Sequence, residues 1–147
     1  MPYTPIIAPS DLTTHIYPEI LAEITRDDNG ALAAQAIEIA IGEAKIYLSR
    51  YDLVAIFGND TTAATFSDPY LTGLIKVIAI WQLICLANPN INYETFRTRY
   101  EDTIAILKRI QDQKADPRWP YLDTTGLTTP PGIAMSIKTT KKRNNSY

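Results

Sequence analysis

The sequence predicts an all-α fold, a small bundle of four to five helices with a long extended C-terminal arm and room for one short strand or hairpin in a loop. Three observations predict it: apolar residues at helical spacing over residues 93–113, an almost wholly apolar central stretch, and a Pro-, Thr- and Lys-rich remainder after Gln113. A chain of 147 residues can bury a core as one domain. We therefore assign residues 1–113 to an α-helical body and residues 114–147 to the arm.

The first half of the chain predicts short helices before one long helix. Ser10 or Asp11 can cap a short amphipathic segment over residues 12–17. Pro18 suits the first turn of a helix over Pro18–Thr25, and the Asp/Asn/Gly cluster at 27–30 then breaks the chain.

A long helix is predicted from Ala31 to about Tyr51 because apolar residues mark one of its faces. The face is Ala33, Ala36, Ile37, Ala40, Ala44, Tyr47, Leu48 and Tyr51. Its many alanines would let another helix approach closely. Residues 53–57 are apolar and fit a strand, an extended loop or the frayed end of this helix. Residues 58–67 read as a polar, Thr-rich loop.

The next helix is predicted to form the centre of the bundle. Asp68 followed by Pro69 is a strong start signal, and the helix that follows, roughly Pro69–Ala87, is apolar nearly all round. Its longest apolar run, residues 77–87, contains one polar residue and covers eleven positions, whereas a membrane span needs about twenty. The run therefore predicts a buried core helix and no membrane contact.

The last helix is predicted over residues 93–113, with Asn92 as its cap. Its apolar face consists of Phe96, Tyr100, Ile104, Leu107 and Ile110. Arg97, Glu101, Lys108 and Asp112 lie elsewhere on its circumference.

The residues that could carry chemistry predict no enzyme, cofactor or metal. The lone cysteine, Cys85, lies in an apolar run and predicts a buried free thiol. His15 is the single histidine and has no visible catalytic partner. The turn at 27–30 resembles part of a calcium loop, but Ala36 stands where a bidentate Glu is required. No two glycines lie close enough to form a phosphate loop.

Charge is unevenly distributed between the two parts of the chain. The last fifteen residues carry +4 and no acid. Because the whole chain has a net charge of −2, the rest carries −6. This basic end predicts contact with an acidic surface on a partner or on a neighbouring copy. It would bind nucleic acid only weakly and in a salt-sensitive manner.

The arm also contains two aromatic residues beside prolines, at positions 116–121, and exposed Trp and Tyr are common interface anchors. The candidate partner-binding residues are Arg118, Trp119, Tyr121, Lys138, Lys141, Lys142 and Arg143.

Several weak motifs occur in a consistent order over about residues 6–113. They are I-x-x-x-D-L from Ile7 to Leu12, the acidic turn at 27–30, a helix ending in Tyr-Leu-Ser-Arg-Tyr at 47–51, a Pro-started apolar helix from Pro69, and Arg-Tyr-Glu-Asp at 99–102. In this layout the chain resembles the small α-helical head–tail connector (adaptor) proteins of tailed bacteriophages, of the Mu-like branch. The Thr-rich loop and the long arm depart from that pattern.

The resemblance implies a structural virion protein in the neck, made in the cytoplasm of the bacterial host. It implies a ring of about twelve copies below the portal protein, extending the DNA channel and presenting a surface to the next neck or tail protein. Genomic DNA would pass through without specific binding. The alternatives are a tail-completion protein on the tail side of the neck and a monomeric helical module that regulates another protein.

Overall fold

A computed structural model describes residues 4–25, 30–87 and 89–123 of the chain. These residues contain one 3₁₀ helix, Pro9–Thr14, and five α-helices, and no β-strand forms among them. The α-helices are α1, Pro18–Thr25; α2, Ala31–Tyr47; α3, Leu53–Phe57; α4, Pro69–Ala87; and α5, Tyr93–Gln111. The all-α prediction is confirmed.

The first helical turn starts earlier than the sequence indicated. Pro9 occupies its first position, where a missing N–H costs nothing, and Asp11 reaches back to accept the N–H of Ala8 at 2.8 Å. Leu12 is buried, while His15 follows the turn and is half-buried. The expected cap at Ser10 or Asp11 is therefore replaced by a cap at Ala8.

Helix α2 ends at Tyr47 rather than near Tyr51. Leu48 leaves helical geometry, and the Asp52 side chain then accepts the N–H of Ala55, starting α3. Residues 53–57 therefore form a separate helix with its own cap, which is none of the three structures expected for them. At the other end of α2, Gly30 has a φ of 83°. Residues 27–29 of the predicted turn lie outside the described part of the chain.

Helix α4 packs between α2 and α5, as predicted for the central helix. The alanines at positions 33, 36, 40 and 44 of α2 are fully buried and allow close contact between α2 and α4. Ile41, which the predicted face omitted, is buried as well.

Helix α5 ends at Gln111, two residues before its predicted end. Gln113 has a φ of 62°, a left-handed conformation that stops the helix. The predicted apolar face does meet the core: Leu107 and Ile110 are buried, and the other three members pack against the core partly buried. Thr103 is buried among them.

A polar cluster joins the three long helices. Glu43 of α2 accepts hydrogen bonds from the hydroxyl of Tyr100 at 2.5 Å and from the side-chain amide of Gln82 at 3.2 Å. The ring of Trp81 stacks on Tyr100 with centroids 5.8 Å apart. Desolvation, followed by the hydrogen bond to Glu43, raises the pKa of Tyr100. The cluster therefore fixes the rotation of each helix by donor–acceptor geometry.

The surface of α4 corrects one prediction. Cys85 is exposed rather than buried, because α4 carries more apolar surface than α2 and α5 cover near its end, where Leu86 is also 41% exposed. With 19 residues, α4 is long and apolar enough to cross a membrane by length and composition alone. A core helix meets the same criterion, and the buried positions of α4 contact α2 and α5.

Candidate interaction surface

The most informative surface is formed where the body ends and the chain continues. Residues 114–123, which we call the strap, return from α5 across the junction between α2 and α3. The N–H of Asp52 donates to the carbonyl of Pro120 at 2.8 Å, and the N–H of Leu122 donates to the carbonyl of Arg50 at 3.0 Å. Between these bonds, Tyr51 and Tyr121 pair as an isolated antiparallel bridge. The strap is thus held by backbone hydrogen bonds to the body.

Trp119 anchors the strap in the core. Its side chain is 2% exposed and meets the ring of Tyr51 edge-on, with centroids 5.9 Å apart. The indole Nε1–H donates to Oδ2 of Asp68 at 2.5 Å, while Oδ1 of Asp68 accepts the N–H of Tyr70 at the start of α4. One carboxylate therefore both caps α4 and satisfies the buried indole. The expectation of an exposed Trp119 is wrong, because the strap returns to the body instead of extending away from it.

Arg50 ties the end of α2 to the end of α5. Its Nη2 donates to the carbonyls of Ile110 and Gln111, at 2.8 Å for Gln111. These carbonyls lie at the C-terminus of α5, where the helix dipole is negative and a guanidinium is favoured. The same residue offers its own carbonyl to the strap, so Arg50 joins α2, α5 and residues 114–123.

We expect Arg50→Ala to lower the free energy of unfolding by about 1–2 kcal/mol, because two carbonyls lose a charged donor. Urea denaturation followed by circular dichroism would measure this. Arg97→Ala is the matched control, because Arg97 forms an exposed pair with Glu101 at 2.9 Å, which is worth about 0.5 kcal/mol or less. Equal losses in the two variants would contradict the assigned role of Arg50.

The outer side of the strap presents apolar and charged groups to solvent. Tyr121 is 51% exposed, Leu122 is 47% exposed and Arg118 is exposed. The Tyr121 ring stacks on Tyr51 at 5.0 Å between centroids. A hydrogen bond to the Asp116 carboxylate raises the pKa of Tyr121 to about 12, and the N–H of Arg118 lowers the pKa of Asp116. Tyr121 is thus an oriented, neutral and exposed aromatic group.

The structure brings three of the seven candidate partner-binding residues onto the strap. Arg118 and Tyr121 are on its exposed side, and the side chain of Trp119 is on its buried side. Leu122 joins them, although no spacing in the sequence distinguished it. Lys138, Lys141, Lys142 and Arg143 lie outside the described residues.

The other described residues that could bind a metal or react are Cys85, His15 and the acidic side chains. No group of three His, Cys, Asp or Glu side chains in that part of the chain could hold a metal ion. Desolvation raises the pKa of the Cys85 thiol and so disfavours its thiolate. His15 faces the Oγ1 of Thr14 at 2.8 Å.

Comparison with known proteins adds no relative. No family model, no curated protein and no solved structure matches this chain.

Proposed function

We propose that the protein is a structural, non-enzymatic virion protein, the head–tail connector of a tailed bacteriophage. About twelve copies would form a ring below the portal protein, extend the DNA channel and present a docking surface to the next neck or tail protein. The observation that supports this proposal best is the strap. It fixes the point from which residues 124–147 continue, directly beside the exposed side chains of Tyr121 and Leu122.

A ring requires a heterologous interface, in which one patch of each subunit meets a different patch of the next. The exposed groups of the strap offer one such patch, with an aromatic ring, an aliphatic side chain and the cation of Arg118. The basic end of the chain supplies +4 against the −6 of the remaining residues. Contact between the end of one copy and the acidic body of its neighbour or the portal would therefore be electrostatically favourable.

The same charge distribution suits a DNA channel. Phosphates are attracted where basic side chains neutralise them, and repelled by an excess of carboxylates. An acidic body around the channel would let the genome pass without adhering to the wall. We therefore assign DNA as a transiting molecule and not as a ligand.

Truncation after Asp123 tests the proposal because it removes residues 124–147 and leaves the strap. We expect a folded protein with an unchanged unfolding midpoint that no longer forms rings with portal protein. Particles assembled with it should lack tails, as seen by negative-stain microscopy. Truncation after Gln113 is unsuitable, since it also removes the buried Trp119 and would confuse misfolding with lost contact.

The matched variant keeps the length of the chain and removes its terminal charge, by replacing Lys138, Lys141, Lys142 and Arg143 with Ala. We expect it to weaken assembly less than truncation and to make assembly less sensitive to salt. Normal rings and infectious particles from the Asp123 truncation would refute the assigned role of residues 124–147. Absence of the protein from purified particles would refute the virion assignment itself.

A further inference from the structure

A groove of about 650 Å³ lies between the N-terminal segment and the start of α5. Its floor is apolar and is formed by Ile16, Ile20, Ile91 and Phe96. The volume is in the range of ligand-binding clefts, about 300–1,000 Å³. The groove lies at the N-terminal end of α5, whereas the strap contacts the C-terminal end. The proposed connector role therefore leaves this groove unused.

The walls of the groove carry hydrogen-bonding groups and a positive charge. Arg99 and His15 line it, together with Thr14, Asn92 and Thr95, and no Asp or Glu is among its lining residues. The nearby acids on the same elements are exposed or already engaged. Glu19, Glu94 and Asp102 are exposed, and Asp11 accepts the N–H of Ala8.

Arg99 carries the positive charge of the groove lining. Its guanidinium lies 5.9 Å from the centroid of the Phe96 ring, directly above the apolar floor. Within the described chain no carboxylate lies within ion-pairing distance of it, whereas Arg97 on the same helix pairs with Glu101. Desolvation, with the charges of Lys76 and Arg99, lowers the pKa of His15 and keeps that ring neutral. Arg99 thus offers unused donors beside apolar surface.

We infer that this groove binds an acidic, apolar segment of a partner protein, a short stretch in which Asp or Glu stands next to aromatic or aliphatic residues. The apolar side chains would cover Ile20, Ile91 and Phe96, and a carboxylate would accept hydrogen bonds from Arg99. Exposed rim residues such as Tyr17, 75% exposed, leave the groove open to solvent. An open groove admits a peptide chain more readily than it encloses a small molecule. The inference does not depend on ring formation.

Fluorescence anisotropy with labelled synthetic peptides tests the inference on the full-length protein. One peptide alternates Glu with Phe and Leu, and the other has Lys at each Glu position. We expect saturable binding of the Glu peptide alone. Arg99→Glu should weaken it at least about tenfold. Thr95→Trp, which fills the groove from an exposed position, should abolish it.

The matched control is Lys108→Glu, which makes the same change of charge at an exposed position of α5 outside the groove. It should alter binding less than about twofold. Equal effects of the two charge reversals, equal binding of the Lys peptide, or no binding of either peptide would overturn the inference. Self-association that Thr95→Trp abolishes, without peptide binding, would assign the groove to a second copy of the chain and overturn it equally.

Discussion

Replacing Trp119 with Ala is expected to lower the free energy of unfolding by about 3–5 kcal/mol. The indole is 2% exposed, so its removal leaves a cavity in the core beside Tyr51. The substitution also leaves one oxygen of the Asp68 carboxylate without its indole donor. Urea denaturation monitored by far-ultraviolet circular dichroism measures the loss without depending on tryptophan fluorescence.

Two companion variants separate the contributions of Trp119. Trp119→Phe keeps an aromatic body and loses the N–H, so we expect a smaller loss than with Ala. Tyr121→Ala removes a ring that is 51% exposed and should cost only about 1 kcal/mol, the worth of its stacking on Tyr51. A Trp119→Ala protein as stable as the parent would mean that residues 114–123 do not pack on the body.

Replacing Gly58 with Ala should also destabilise the protein strongly. Gly58 ends α3 with φ 73° and ψ −178°, a conformation nearly restricted to glycine. A Cβ atom there would lie 2.8 Å from the backbone N of Ala64 and 2.9 Å from the carbonyl of Thr62. Because both obstacles are backbone atoms, the loop cannot yield by rotating a side chain. Strain and overpacking together predict a loss of about 2–4 kcal/mol.

Gly42 provides the matched control for Gly58. It lies within α2, and a Cβ atom added there would meet nothing within 4 Å. Gly42→Ala should raise the unfolding midpoint, because Ala is favoured over Gly inside a helix by about 1 kcal/mol. Thermal denaturation of the two variants should therefore give shifts of opposite sign. Shifts of the same sign and size would contradict the described conformation of the 58–64 loop.

The strap also changes how the end of the chain can be studied. Its first part belongs to the folded body, since Trp119 is buried and Pro120 and Leu122 bond to the α2–α3 junction. The body that can be isolated therefore extends to Asp123. Effects of removing residues beyond that point can be attributed to lost contacts, whereas effects of cutting at Gln113 include lost stability.

Local signals determined most of the helices from the sequence. Asp68 and Pro69 start α4, and Asn92 accepts the N–H of Glu94 at the start of α5. Each of these capping signals involves residues within one helical turn of one another, so it is visible in the sequence itself. Hydrophobic periodicity is equally local and identified the face of α5 that meets the core. The ends of α2 and α5 were less certain, because helix termination depends on competing contacts.

The tertiary structure alone decided which aromatic and cationic side chains face the core and which face solvent. Trp119 is buried, and its indole N–H donates to the carboxylate of Asp68, which lies 51 positions away in the sequence. Arg50 binds the end of α5 across a separation of 60 positions. Arg99 and His15 line the same groove although they are far apart in the sequence. Such partners are brought together by chain folding in space. No local pattern in the sequence encodes these contacts. The sequence therefore identified the helices but not the contacts between distant side chains.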